Sequence, residues 1–218
     1  MVIFDCNGVL VDSEPIATAV LAAAFERIGL RLPADIMAHE FPGRRPTDVF
    51  AAIERATGKK LPPDFQSTVA AETLRRLRAE LRPVPHVARA LSWVRGPKAV
   101  ASASSLDRIR ASLDVTGLLR FFEPRLFSAS EVRNGKPAPD LFLHAATRSG
   151  GEPAKCIVVE DSPPGITAAV LARMMPIGFV GGSHAAGRLA QDLMKSGART
   201  VIADMRSLKG AILDLRGW

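Results

Sequence analysis

The sequence predicts an α/β fold: a parallel sheet covered on both faces, interrupted after its first strand by a helical insertion. Three observations lead there. Short apolar runs at Ala99–Ala101, Leu126–Ser128, Cys156–Val159, Pro176–Val180 and Thr200–Ala203 alternate with helical segments, the pattern of strands buried on both faces of a parallel sheet. Val2–Asp5 is a run of the same kind, yet it has no neighbour of its type until residue 99. Between them, residues 14–85 show helical spacing and no convincing strand.

Taken in order, Val2–Asp5 reads as a buried strand ending in a carboxylate. After a turn at Gly8, Asp12 and Ser13 offer helix caps and Pro15 suits a first helical turn. Ile16, Val20, Ala24 and Ile28 then line one helical face, and Gly29 supplies a stop. Asp48–Arg55 and Phe65–Leu81 continue the helical pattern, punctuated by Pro42–Gly43, Gly58 and Pro62–Pro63. Pro83 and Pro85 lead into a helix over Val87–Val94, where the strand–helix alternation begins. The expected division is an α/β core from residues 1–13 and 86–218, with 14–85 as the inserted helical unit.

Composition narrows the function. With 47% hydrophobic and 23% charged residues the chain can bury a sizeable core. No apolar run approaches the length of a membrane span, and Met1–Phe4 leads straight into an acidic motif with no basic leader. A soluble cytoplasmic protein, monomeric or weakly dimeric and without a membrane partner, is the expectation. Cys6 and Cys156 lie in or beside apolar runs and read as buried, reduced thiols. The net charge of +7 raises nucleic acid as a partner, but the excess is spread out: +2 falls in residues 14–85 and +5 in the rest. No aromatics interleave with the basic clusters. No nucleic-acid partner is expected.

Ligands of a parallel sheet bind beyond the carboxyl ends of its strands. Here those ends carry Asp5-Cys-Asn7-Gly8, Ser102-Ala103-Ser104-Ser105 and Glu160-Asp161-Ser162, with Asn134-Gly135-Lys136-Pro137 between the last two. Alone, each has an ordinary reading as a cap, a turn residue or a solvated cation. The pair Glu160–Asp161 directly after Ile-Val-Val is harder to dismiss, because buried carboxylates are costly unless a cation offsets them. Hard oxygen donors with no Cys/His set point to Mg²⁺ rather than zinc.

Together these motifs resemble those of the haloacid dehalogenase superfamily of phosphohydrolases. Phe4-Asp5-Cys-Asn7-Gly8-Val-Leu resembles the first motif, Ala-Ser102-Ala-Ser the second, Gly-Lys136-Pro the third and Val-Val-Glu160-Asp161 the fourth. They occur in the family's order across most of the chain, and the insertion fits its helical cap. The resemblance is greatest to the β-phosphoglucomutase-like group and to sugar-phosphate phosphatases such as 6-phosphogluconate phosphatase. It implies a Rossmann-like core, a small phosphate ester as substrate, and Asp5 as nucleophile forming an aspartyl-phosphate. It further implies Mg²⁺ held by Asp5, the Asn7 carbonyl, Glu160 and Asp161. Lys136 would neutralise charge, and Ser102 and Ala103 would cradle the phosphoryl group.

The sequence departs from the family at Asn7, where a carboxylate normally protonates the leaving alkoxide and then activates water. An amide can do neither, so metal and substrate binding are expected to survive while turnover is impaired. An introduced Asp→Asn change, a natural loss of activity and partial deamidation of Asn7-Gly8 are the alternatives. Phe41-Pro42-Gly43-Arg44-Arg45-Pro46 resembles the cap's specificity loop, with Arg44 and Arg45 as candidates for a substrate carboxylate or second phosphate. The mutase subgroup carries His and Arg where this chain has Ala17 and Pro46, which favours a hydrolase over a phosphosugar mutase. A non-catalytic phosphometabolite-binding protein is the remaining alternative. Gly181–His184 reads as a glycine turn with an exposed histidine, and His39, His86 and His144 as ordinary.

Overall fold

A computed structural model describes residues 1–32, 43–185 and 187–217. His39, Phe41 and Pro42 lie outside the described residues. Six strands form one sheet: β1 (Val2–Phe4), β2 (Lys98–Ser102), β3 (Leu126–Ser128), β4 (Ile157–Glu160), β5 (Met175–Phe179) and β6 (Thr200–Ile202). Their order is β3-β2-β1-β4-β5-β6, and every neighbouring pair is parallel. The chain winds outward from β1 in one direction and from β4 in the other. The seam between β1 and β4 is therefore the switch point, the place where such sheets open a ligand crevice.

Side chains of successive strand residues point to opposite faces, and the sequence fills both. Val2, Phe4, Val100, Ile157, Val159 and Ile177 belong to one apolar cluster. Ile3, Ala99, Ala101, Phe127 and Val158 belong to another. Phe4 is fully buried and meets Phe122 edge-on at 5.8 Å, a burial that contributes about 2–3 kcal/mol. On this platform stand α4 (Val87–Trp93), α5 (Leu106–Val115), α6 (Asp140–Arg148), α7 (Pro163–Leu171), α8 (Leu189–Lys195) and α9 (Leu208–Arg216).

Between β1 and β2 run α1 (Glu14–Arg27), α2 (Pro46–Thr57) and α3 (Phe65–Glu80). They enclose their own apolar cluster of Leu21, Ala24, Phe25, Val49, Phe50, Ile53 and Phe65. Phe25 and Phe65 stack at 5.0 Å, with Phe50 edge-on to Phe65 at 5.4 Å. The far end of α3 is different: Leu77 and Leu81 join the cluster beneath the sheet, which ties the helical segment to the core.

Two expectations change in detail. The fourth strand begins one residue later than the apolar run suggests and extends through Glu160, paired with Gly178. Its carboxylate is thereby carried in the sheet and wholly buried. Ser13 precedes α1 but makes no side-chain cap; its hydroxyl donates to Asn7 Oδ1 at 3.1 Å instead. Both cysteines are buried free thiols. No helix among the described residues is long and apolar enough to cross a membrane.

Candidate active site

Asp5 leaves the end of β1 with its N–H still bonded to the Val159 carbonyl at 2.9 Å. That bond places its carboxylate on the β1–β4 seam, only 4% exposed. Lys136 reaches it from the loop between β3 and α6 with a side chain that is fully buried. A buried ammonium is costly unless its protons find acceptors. Three acceptors surround Nζ: Asp5 Oδ1 at 2.5 Å, Glu160 Oε1 at 2.6 Å and the Ala101 carbonyl at 3.3 Å.

Glu160 is fixed from its other oxygen. Oε2 accepts from the Ser162 N–H at 2.8 Å and the Ser162 hydroxyl at 2.9 Å. Ser162 in turn caps α7 by accepting from the Gly165 N–H at 3.1 Å. Gly165 is required here, since a Cβ on it would stand 1.9 Å from Glu160 Oε1. Gly8 is required for the same kind of reason. Its φ is +73°, and a Cβ would stand 1.8 Å from Asp161 Oδ2.

Oxygens of Asp5, Glu160 and Asp161 all lie within 4.8 Å of one another, and all three residues are buried. One ammonium faces three carboxylates. Burial, countered by Lys136 and reinforced by Glu160 and Asp161, pushes the Asp5 pKa up to about 8. Burial likewise raises Asp161 to about 6, against the opposing pull of His184. Such a cluster is electrostatically incomplete without a further cation. Its all-oxygen donors suit Mg²⁺ and lack the nitrogen or sulfur that zinc prefers. The residues present fit the ion.

Asn7 stands beside this cluster with both ends of its amide held. Nδ2 donates to Ser104 Oγ at 2.9 Å, and Oδ1 accepts from Ser13 Oγ at 3.1 Å. Both partners are hydroxyls, which donate or accept with equal ease. Cys6, next to Asp5, points into the core, and burial raises its thiol pKa.

Above the acids lies a cleft lined by Asp5, Asn7, Asp161, Glu14, Ala103, Ser104 and Arg108. Ala17, Gly43, Arg44, Pro46 and Phe50 are among the residues of its helical side. Ala103 thus reaches the cleft, whereas Ser102 is buried beneath it and accepts from the Ser104 N–H at 3.2 Å. Gly43 and Arg44 reach it too. Gly43 has φ +75° and presses on the core so closely that a Cβ would stand 2.2 Å from Ser162 Oγ. Arg45 is not brought to Asp5. Its Nη2 donates to the Arg133 carbonyl at 2.9 Å, and it lines the adjoining cavity beside Ser104 and Arg108.

Two residues outside the expected set belong to the site. The side chain of His184, 16% exposed rather than solvated, lies with Nε2 at 3.0 Å from Asp161 Oδ2. Its ring fits because Gly8 and Gly182 lack side chains: a Cβ on either would come within 2.8 Å of it. Ser183 fastens the same loop by donating its N–H and hydroxyl to Asp12 Oδ1 at 3.1 and 2.8 Å. Glycines flanking a histidine were the available signal for His184. Arg108 had none, as one arginine in an amphipathic helix.

A buried carboxylate cluster with one lysine, set at the switch point of a parallel sheet, defines an α/β enzyme active site. A family profile of haloacid dehalogenase-like hydrolases matches residues 1–173. The chain belongs to that family. It is 33% identical over 175 residues to a fructose-1-phosphate phosphatase of Escherichia coli K12, covering 79% of this chain and 92% of the relative. It is 28% identical over 184 residues to the 6-phosphogluconate phosphatase of the same organism, covering 84% and 83%. Among solved structures, a conserved haloacid dehalogenase-like protein of unknown function from Agrobacterium tumefaciens superimposes with a TM-score of 0.84. That protein is 34% identical, and the match covers 99% of this chain and 98% of that one.

Proposed function

We propose that this hydrolase is a Mg²⁺-dependent phosphatase of small phosphorylated carbohydrates that works through an aspartyl-phosphate on Asp5. The observation that carries the reading is the buried Lys136 bridging Asp5 and Glu160 beside Asp161. Attack on a phosphate ester brings anion to anion, and a site that does this needs positive charge fixed in place. The phosphatase names of the two curated relatives support the same reading.

In this mechanism Asp5 Oδ attacks phosphorus and the ester P–O bond breaks, releasing the substrate's alkoxide. Water then attacks the aspartyl-phosphate, losing a proton and freeing phosphate and the Asp5 carboxylate. Lys136 holds Asp5 in place and offsets charge on it. Ala103 and Ser104 form the wall against which the phosphoryl group rests. Asp5, the Asn7 carbonyl and Asp161, with Glu160 assisting, would hold Mg²⁺, which would supply Lewis-acid polarisation and orientation. Residues 14–85 act as the cap, with Gly43 meeting Ser162 and Arg44 facing the substrate. The two protons that must be given and taken fall to position 7, where Asn7 leaves them to water. Ala17 and Pro46 line the cleft with apolar side chains, so the cap offers neither of the polar groups the mutase subgroup has there.

The test is phosphate release from a panel of sugar phosphates with Mg²⁺, run on the chain, on Asn7→Asp and on Asp5→Asn in the Asn7→Asp background. Asp5→Asn is expected to abolish release. Release that persists in it rules out Asp5 as nucleophile.

A stability measurement probes the ion separately. Asp5 is raised to about 8 in the metal-free fold, so between about pH 4 and 8 the folded state holds a proton that the unfolded state has lost. Metal-free stability therefore falls as pH rises through that window. Mg²⁺ is expected to reverse the trend, raising the melting temperature more at pH 8 than at pH 5. Equal Mg²⁺ shifts at both pH values count against the carboxylate site.

A further inference from the structure

Arg108 sits in the first turn of α5, where Ser105 Oγ accepts its backbone N–H at 3.4 Å. Helical side chains lean toward the N-terminus of their helix. Here that direction leads back over the carboxyl edge of the sheet, into the cleft that holds Asp5 and Asn7. Nε is buried without a hydrogen-bond partner. Among the described residues the guanidinium makes no ion pair and no hydrogen bond.

Several other arginines of this chain do find carboxylate partners. Arg75 pairs with Glu72, Arg76 with Glu80 and Arg206 with Asp204. Pairing contributes little at the surface, whereas a cation left without a partner where solvation is poor costs far more. Glu14 and Asp5 are the carboxylates whose fields reach Arg108, yet neither closes on it. Asp5 is already taken up by Lys136.

We propose that Arg108 is a specificity-determining residue that receives a carboxylate at the end of the substrate remote from its phosphate. The preferred substrates are then sugar-acid phosphates. This deepens the phosphatase reading and rests on it. The cleft fixes the two ends of such a molecule: the phosphoryl group at Asp5, and the carboxylate at the planar fork of Arg108, which matches it with two parallel hydrogen bonds. A monoanion suits the place better than a second phosphate, because Glu14 shares the cleft and repels a dianion more strongly.

The test is calorimetric binding to the chain as it stands, with Mg²⁺ and three probes. These are a six-carbon aldonic acid 6-phosphate, the alditol 6-phosphate of the same length, and a hexose bisphosphate. The aldonate is expected to bind about ten to a hundred times tighter than the alditol, the range of a charge-assisted hydrogen-bonded contact. Arg108→Gln should bring that ratio close to one, and Arg108→Lys should leave it in between. Because Arg108→Gln removes a half-buried charge whose Nε has no hydrogen-bond partner, its melting temperature should hold or rise, which a structural role would not allow.

The proposal is overturned by equal binding of aldonate and alditol, by equal losses for both in Arg108→Gln, by preference for the bisphosphate, or by a steep fall in melting temperature. Turnover by Asn7→Asp separates this failure from the larger one. If the alditol ester is hydrolysed but discrimination ignores Arg108, only the carboxylate assignment falls. If neither ester is bound or hydrolysed, both readings fall.

Discussion

Replacing Asn7 with Asp is expected to raise turnover of a phosphate ester by about 10²- to 10⁴-fold, or roughly 3–5 kcal/mol from the barrier. The surroundings of Asn7 are ready for the change. Ser104 now accepts from the amide Nδ2 and Ser13 donates to Oδ1. Against a carboxylate, Ser104 has only to rotate its hydroxyl and donate, so both contacts survive. Neither Lys136 nor the acid cluster touches the Asn7 side chain, so affinity for Mg²⁺ and for phosphate should change by no more than a few-fold. The expected signature is therefore a large change in kcat with little in binding. Spontaneous deamidation is a poor route to the same state. The amide is held at both ends, and the Gly8 nitrogen that would attack it is engaged with the Val11 carbonyl at 2.8 Å. Intact mass together with a phosphate-release assay of both proteins checks the whole statement. Equal turnover in the two removes position 7 from the proton transfers.

The fold was legible because its strands are short apolar runs with few competing readings. Ile157-Val-Val and Ala99-Val-Ala have no other use in a chain of this composition, and six such runs gave the sheet. The acids and Lys136 were legible for a related reason: residues at strand ends are placed by the strand, so the order of the motifs already implies convergence on one edge. What escaped was whatever depends on side-chain direction. Arg44 and Arg45 look equivalent as letters, yet one faces the cleft and the other a backbone carbonyl. Ser13 has the right place and type to cap α1, and the nearer amide of Asn7 takes its hydroxyl. His184 needs two glycines, Gly182 two residues before it and Gly8 near the start of the chain, to make room for its ring, a coincidence that only the packed structure displays. Arg108 is the strongest case. Nothing in Leu-Asp-Arg-Ile-Arg separates the half-buried Arg108, its Nε enclosed without a partner, from Arg110, which pairs with Glu123 at the surface.

Lys136→Met should abolish turnover and, in the metal-free protein, lower stability by about 3–5 kcal/mol, the range for removing one partner of a buried ion pair. Methionine fills most of the space of the lysine stem, so the loss reports charge rather than a cavity. With the ammonium gone, Asp5 and Glu160 lose their shared donor while Ser162 still holds the other oxygen of Glu160. One carboxyl must then take a proton or both must repel, so the variant should weaken further as pH rises. A second substitution separates this account from a simple packing defect. Adding Asp5→Asn removes the carboxyl that would otherwise ionise beside Glu160, so above about pH 8 it should recover much of the lost stability while activity stays absent, a coupling that a double-mutant cycle measures directly. Mg²⁺ should also recover part of the stability of Lys136→Met, and less of the double variant's, because Asp5 is then missing from the ion's ligands. Melting curves of the four proteins in chelator and in Mg²⁺ supply every term. Additive losses, with no rescue by Asp5→Asn, would mean that Lys136 supports the fold by packing alone and that the charge balance inferred for the site is mistaken.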